Sequence, residues 1–160
     1  MTLSASDINA IIRQGLPAAD DSGFEVEEIT ASGVICRQRY AATQLRPGGT
    51  ISGPTMMALA DAAMYAAVLS RLGRLEMAVT QNININFLRR PPPADLIAKA
   101  EVIRLGRRTV ALDVRIYSEG GYSENNYFEG NNGMAAHATG LYSLPPSGKE
   151  NLASFSRAVT

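Results

Sequence analysis

The sequence predicts an α+β fold in which a mostly antiparallel sheet wraps around one long central helix, preceded by a short N-terminal helix. One long helical segment, residues 54–72, interrupts a chain whose other elements alternate with the period of strands. The order is two strands, this helix and four strands, which lacks the strict alternation of a doubly wound parallel fold. A single apolar helix among antiparallel strands is best buried by a sheet that curves around it.

Length and composition restrict the classes of function. The 160 residues fit one domain over 1–146, followed by a polar tail over 147–160. Lys plus Arg and Asp plus Glu both number 15, which gives no argument for nucleic acid or a membrane surface as partner. The single cysteine, Cys36, excludes an intrachain disulfide, and the single histidine, His137, excludes a histidine-cluster metal site. We therefore expect no metal.

The N-terminal segment predicts a short amphipathic helix. Ser6 and Asp7 can cap this helix, and Gly15 and Pro17 end it. Its apolar face carries Ile8, Ile11 and Ile12. The early Asp7 and the absence of a long apolar core argue against a signal peptide, so we expect a cytoplasmic protein.

A hairpin and the long helix follow. The runs FEVEEIT and VICRQRY flank residues 31–33 and predict a β-hairpin, after which AATQLRPGGTIS predicts a loop. Pro54 suits the first turn of the helix because its missing N–H would be unbonded there, and Gly73 supplies a stop. Gly53, Pro54 and Asp61 leave uncharged runs well short of the roughly 20 residues that a membrane span needs.

The remaining segments predict four strands. QNININF alternates Asn with apolar residues, and LIAKAEVI, TVALDVRIY and AAHATGLYSL follow it. Three prolines at 91–93 and a turn at 105–108 separate the first three of these strands. The segment GGYSENNYFEGNNG, residues 120–133, predicts a loop insertion without chemistry.

Asp61 is the one residue with a charged side chain at pH 7 in ISGPTMMALADAAMYAAVL, residues 51–69. On a helix it shares a face with Met57, Ala58, Met64, Tyr65 and Val68. A carboxylate on that apolar face is costly to bury without a partner, and no Lys or Arg precedes it within two turns. Two interpretations stay open: a structural carboxylate that accepts backbone hydrogen bonds, and a catalytic one.

Three segments together resemble the hotdog-fold acyl-CoA thioesterases of the phenylacetate-degradation, or PaaI-like, type. They are LRPGGTISGPTMMALADAAMYAAVL, TQNININFLRRP and RLGRRTVALDVRIYSEG. The resemblance extends from about residue 24 to residue 144. It implies a hotdog fold and a hydrolase of acyl-CoA thioesters with no cofactor beyond the coenzyme A of its substrate. It also implies a homodimer that assembles into a homotetramer.

The resemblance assigns roles to individual residues. Asp61 matches the acidic residue that activates water or attacks the thioester. Gly53 matches the glycine whose N–H polarises the thioester carbonyl at a helix N-terminus, and Thr80 matches a hydroxyl residue that orients the water. The turn that meets the nucleotide or pyrophosphate part of coenzyme A is matched by Gly106, Arg107 and Arg108.

Two positions depart from the family. Ser52 stands where the family has His, and it can cap the long helix. Arg46 stands where the family often has Asn, and it either pairs with Asp61 across an interface or contacts substrate. Met57 and Met64, on the face of Asp61, are either core residues or part of an acyl pocket.

The spacing of Gly53 and Asp61 constrains the site. Eight residues of one helix separate them by roughly 12 Å. One carbonyl cannot lie about 3 Å from both on the same helix. If both serve one reaction, they come from different subunits.

Other interpretations remain beside hydrolysis. The missing His and Asn favour a non-catalytic protein that binds acyl-CoA or lipid on the same fold. A hydratase or dehydratase would need a His beside the acid, and His137 is poorly placed in the sequence for that. Neither a Ser-His-Asp triad with His137 nor a reactive thiolate at Cys36 has supporting neighbours in the sequence. The pairs Arg89–Arg90 and Arg107–Arg108 are either solvated strand ends or phosphate ligands.

Overall fold

The computed structural model describes residues 2–16, 22–119 and 133–146. Six long strands form one antiparallel sheet around a central helix, and a short helix precedes them. The predicted α+β hotdog architecture, including the short N-terminal helix, is confirmed. The predicted loop over 120–133, apart from Gly133, lies outside the described residues, as do Pro17 and the tail over 147–160.

The elements follow the predicted order. Two helices and eight strands are present in the described residues: α1 Ala5–Gly15, β1 Phe24–Ile29, β2 Gly33–Gln38, β3 Leu45–Arg46, β4 Thr50–Ile51, α2 Gly53–Leu72, β5 Val79–Phe87, β6 Leu96–Leu105, β7 Thr109–Ser118 and β8 Met134–Ser143. The main sheet has the order β1-β2-β6-β7-β8-β5, and every neighbouring pair in it is antiparallel. Neither helix is both long and apolar enough to cross a membrane.

The N-cap of α1 differs from the prediction. Ser4, not Ser6, caps the helix: its hydroxyl accepts from Asp7 N at 3.1 Å, and Asp7 Oδ2 accepts from Ser4 N at 2.8 Å. These two bonds form a capping box, which requires the Ser three residues before the acid and therefore excludes Ser6. The hydrogen bonds from the Ser4 backbone and hydroxyl lower the pKa of the Asp7 carboxyl.

The segment before α2, predicted as a plain loop, contains a 3₁₀ turn over Ala42–Gln44 and the small hairpin β3–β4. Gly48 and Gly49 adopt φ values of 102° and 76°, which closes the hairpin at little steric cost. The backbone N–H of Ser52 donates to Gln44 O at 2.9 Å, so the hairpin is tied to the start of α2.

Helix α2 is the centre of the core. Nine of its residues are buried, and the sheet packs closely against it. The closest approach is at Gly140 of β8, where a Cβ atom would lie 2.5 Å from the Met64 sulfur. A Cβ would also lie 2.9 Å from the backbone oxygen of Asn82 on β5, so glycine lets β8 pack at its observed distance from β5 and the Met64 side chain.

The two edges of the main sheet differ. At the β5 edge, Ile83 and Ile85 pack against the core, whereas the alternating asparagines at 82, 84 and 86 are exposed. Large apolar side chains around this edge are also exposed: Met57 43%, Val79 56%, Phe87 49% and Leu88 52%. Among the described residues, strand β5 pairs only with β8, and its outer backbone groups have no strand partner there.

At the β1 edge, the side chain of Asn9 takes the place of a further strand. Its Nδ2 donates to Val26 O at 3.0 Å, and its Oδ1 accepts from Val26 N at 2.8 Å. Asn9 is only 9% exposed, and α1 packs along β1. The amide thus satisfies both backbone groups of Val26, which would otherwise be buried without partners.

Replacement of Asn9 by Ala should destabilise the protein by about 2–4 kcal/mol, because it leaves two backbone groups under α1 unsatisfied. Denaturant unfolding measures this difference. The control is Ser6→Ala, on the exposed surface of the same helix and outside the capping box, which should change the stability by less than about 0.5 kcal/mol. Equal losses of stability in the two variants would contradict both assignments, Ser4 as the N-cap of α1 and Asn9 as the partner of the β1 edge.

Candidate functional site

The carboxylate of Asp61 receives two hydroxyl hydrogen bonds. Thr80 Oγ1, from β5, donates to Asp61 Oδ1 at 2.6 Å. The phenol of Tyr142, from β8, donates to the same Oδ1 at 2.6 Å and lies 3.1 Å from the backbone oxygen of Asp61. The structure therefore brings together Asp61 and Thr80, which the sequence analysis singled out, and adds Tyr142, which it missed.

Tyr142 is held firmly in this position. Its side chain is 3% exposed, and its ring stacks on Tyr65 of α2 with centroids 6.3 Å apart and an interplanar angle of 15°. Burial, followed by the hydrogen bond to Asp61, raises the pKa of the Tyr142 phenol far above its usual range. The phenol thus stays protonated and acts as a hydrogen-bond donor to the carboxylate.

Strand register explains the meeting of these groups. Thr80 pairs with Tyr142 across β5 and β8, and Tyr142 pairs with Val110 of β7. A shift in register between Thr80 and Asn82 marks an irregularity beside the site. The alternation in AAHATGLYSL puts Tyr142 on the inner face with Ala138 and Gly140, which is the one signal in the sequence that pointed to it.

A cavity of about 830 Å³ opens beside Asp61. Its apolar wall comes from α1 and α2: Ile11, Ile12, Leu16, Ala58, Ala62 and Tyr65. Arg74 and Glu76, whose side chains pair at 3.5 Å, also border it. The cavity therefore offers an apolar surface that ends at a hydrogen-bonded carboxylate.

A second cavity of about 340 Å³ lies at the N-terminal end of α2. Gly53 and Phe87 border it, together with three arginines, Arg46, Arg89 and Arg90. None of these arginines forms an ion pair with another described residue. A helix N-terminus and three guanidinium groups attract anions.

Gly53 and Asp61 border different cavities, which share no lining residue. Within one chain, the candidate oxyanion donor and the candidate carboxylate therefore do not face one substrate. This arrangement agrees with the separation expected along a single helix.

The other predicted site residues lie apart from Asp61. Ser52 is the N-cap of α2, since its hydroxyl accepts from Thr55 N at 3.3 Å. Met64 is fully buried against Gly140 and is therefore a core residue, not part of a pocket wall. Met57 is exposed and borders neither cavity. The turn of Gly106, Arg107 and Arg108 joins β6 to β7 at the sheet end that holds Thr80 and Tyr142, but it borders neither cavity.

His137 does not take part in this site. It lies on the sheet face opposite α2, where its Nε2 is 2.6 Å from Asp113 Oδ1 and its neighbours Ala136 and Ala138 point inward. A Ser-His-Asp triad around Asp61 is therefore excluded. Across residues 2–16, 22–119 and 133–146, no group of three or more His, Cys, Asp or Glu side chains is arranged to hold a metal ion.

Comparison with known proteins gives consistent relatives. The model of the thioesterase superfamily matches residues 48–124. The crystal structure of a provisionally named thioesterase from Silicibacter sp. TM1040 is 32% identical, with a TM-score of 0.74 and coverage of 90% of this chain and 93% of that one. A provisionally named esterase from Saccharolobus solfataricus is 25% identical over 140 residues, which are 88% of this chain and 85% of that protein.

A mutant of the phenylacetic acid degradation protein PaaI from Thermus thermophilus shares the fold. It is 24% identical, with a TM-score of 0.65 and coverage of 81% of this chain and 97% of that one. At this level of identity the likeness shows the fold alone.

The thiol of Cys36 should be unreactive in the folded protein. The side chain is fully buried, and burial, together with the charge of Glu27, raises the pKa of the thiol well above its usual range. Because the thiolate is the reactive form, an aromatic disulfide reagent at pH 8 should label native protein at least about 100-fold more slowly than denatured protein. Cys36→Ala gives the blank, and rapid stoichiometric labelling of native protein would contradict the prediction.

Proposed function

Because the chain belongs to the thioesterase superfamily, we propose that it is a PaaI-like acyl-CoA thioesterase, which hydrolyses acyl-CoA to a free acid and coenzyme A at sites shared between two subunits. The observation that carries this proposal is the carboxylate of Asp61, held by two hydroxyl donors at the end of an apolar cavity. An acid beside an apolar wall suits a substrate that has a reactive carbonyl and an apolar tail.

Asp61 supplies the chemistry. It either takes a proton from the attacking water or attacks the thioester carbonyl carbon itself; in both cases the C–S bond breaks and coenzyme A leaves with the sulfur. Thr80 donates its own proton to Asp61, which leaves the lone pairs of its oxygen to accept a hydrogen bond from the water. The N–H of Gly53 stabilises the negative charge that develops on the carbonyl oxygen.

The cavities divide the substrate between them. The wall that Ile12, Ala58 and Ala62 provide in the first cavity suits the acyl group. The guanidinium groups of Arg46, Arg89 and Arg90 around the second suit the phosphates of coenzyme A, since arginine binds phosphate through two parallel hydrogen bonds. In this role Arg46 contacts substrate. The residues of the 106–108 turn, at the sheet end of Asp61, are further candidates for the nucleotide.

Shared sites require a second copy, and we propose that the two copies pair through the open edge of β5. β5 runs over Val79–Phe87, with Ile83 at its middle. Antiparallel pairing about Ile83 puts Thr80 opposite Asn86 of the partner subunit, beside the partner's Phe87. Phe87 packs on Gly53, whose Cβ, if present, would lie 3.3 Å from the ring. Asp61 of one subunit thereby approaches the Gly53 cavity of the other.

The exposed surface favours the same dimer. Met57, Val79, Phe87 and Leu88 are each exposed by more than two fifths and lie around the β5 edge. Apolar patches of this kind are typical of interfaces. Assembly of two such dimers into a homotetramer is part of the proposal by family resemblance.

Replacement of Asp61 by Asn should abolish turnover, because the amide neither accepts a proton nor attacks the carbonyl. Thiol release from a panel of short, long and aromatic acyl-CoAs should fall about 10²–10⁴-fold. The control is Asp113→Asn, which changes a hydrogen-bonded aspartate on the other sheet face and should retain activity.

Two results would contradict hydrolysis at Asp61. Equal thiol release by wild type and Asp61→Asn would exclude the Asp61 mechanism. Binding of acyl-CoA by wild type without any release would favour the non-catalytic binding protein, which the family departures at Ser52 and Arg46 suggest.

Mixed dimers test whether the sites are shared. Gly53→Pro removes the oxyanion N–H at a helix position that tolerates proline. Co-refolding equal amounts of this variant with Asp61→Asn should restore about a quarter of wild-type activity, because half of the dimers are mixed and each has one intact site.

The control mixes Asp61→Asn with Thr80→Val. These two changes affect the half of the site that a single subunit supplies. No dimer in this mixture carries an intact site, so its activity should stay at the average of the two variants alone. Failure of the Gly53 mixture to recover activity, with mixed dimers present by mass spectrometry, would mean that sites are not shared.

A further inference from the structure

We propose that Tyr142 is a positioning residue that fixes the Asp61 carboxylate through Oδ1 and leaves Oδ2 as the oxygen that reacts. This inference rests on the proposed function of Asp61. It assigns a role to a residue that the sequence did not single out and that lies 81 positions from its partner.

The hydrogen bonds divide the two carboxylate oxygens. Both hydroxyl donors, Thr80 and Tyr142, reach Oδ1 at 2.6 Å. Oδ2 accepts no hydrogen bond from any described residue. Two short bonds to a charged acceptor fix the plane of the carboxylate and stabilise negative charge on Oδ1. Oδ2 therefore keeps its lone pairs for water or for the thioester carbon.

Tyr142 is the more rigid of the two donors. The single phenolic proton goes to Oδ1, and the backbone oxygen of Asp61 at 3.1 Å is the weaker second acceptor. The ring is buried and stacked on Tyr65, so the hydroxyl cannot turn away without loss of packing. Thr80, by contrast, lies on the exposed edge strand β5.

Positioning of this kind acts on the chemical step. A reacting atom that is displaced by about 1 Å loses orders of magnitude in rate, while substrate affinity depends on the walls of the cavity.

The test is Tyr142→Phe, which keeps the ring and removes the hydroxyl. We expect kcat to fall about 10–100-fold with KM changed less than about 3-fold, since the loss concerns orientation at the reacting atoms.

Tyr40→Phe is the matched control. It removes a phenol from an exposed tyrosine that borders neither cavity. Its kcat and KM should equal those of wild type. Thr80→Val removes the other donor to Oδ1 and should also lower kcat more than it changes KM, and Thr80→Ser should restore kcat.

A second measurement does not need turnover. In protein with ¹³C-labelled aspartate, the chemical shift of the Asp61 carboxyl carbon at pH 7 should change in Tyr142→Phe relative to wild type and stay unchanged in Tyr40→Phe. If wild type hydrolyses no acyl-CoA but this change is seen, the proposed function fails and the positioning contact stands. An unchanged chemical shift together with unchanged kcat in a folded Tyr142→Phe protein would overturn the inference.

Discussion

A carboxylate in the middle of an apolar helix is the constraint on which the rest of this structure depends. Asp61 needs polar partners at a point where α2 is otherwise packed in the core, and its side-chain hydrogen bonds among the described residues come from outside α2. The sheet supplies them, because Thr80 and Tyr142 face each other across β5 and β8 directly over Asp61. The contact requires close packing between helix and sheet, which Gly140 permits opposite Met64. Fold and candidate chemistry therefore share one set of contacts.

The sequence predicts the elements well and their meeting points poorly. Period-two alternation identified the long strands, and a proline followed by a glycine stop delimited α2, because these signals are local. Asp61 stood out because a lone acid in an apolar segment is costly wherever the segment folds. Tyr142 did not, because its role depends on a hydrogen bond to a helix residue 81 positions away. The sequence analysis missed the cap at Ser4, which depends on a three-residue spacing to the acid. It also missed the β3–β4 hairpin, which depends on two glycines with positive φ.

The two ends of α2 carry different chemistry. The N-terminal end has a helix dipole, a free N–H and three arginines, all suited to negative charge. The middle has a carboxylate, two hydroxyls and an apolar wall, suited to bond cleavage beside a hydrocarbon group. A substrate with an anionic carrier joined to an apolar acyl group contains both features. One copy of the chain holds the two regions apart, and the proposed two-fold axis through β5 would bring one of each together.

The amide of Asn9 has a consequence for assembly. It binds both backbone groups of Val26, near the middle of the β1 edge, and α1 covers that edge, so β5 is the edge of the described sheet that stays open. In the proposed dimer, β5 pairs with β5 of a second copy; this interface is isologous, and the two β1 edges then lie at the ends of the joined sheet. An open edge strand is a template on which further copies can pair and aggregate. A single asparagine in the first helix therefore helps to cover the edge at which a sheet of paired copies would otherwise keep growing.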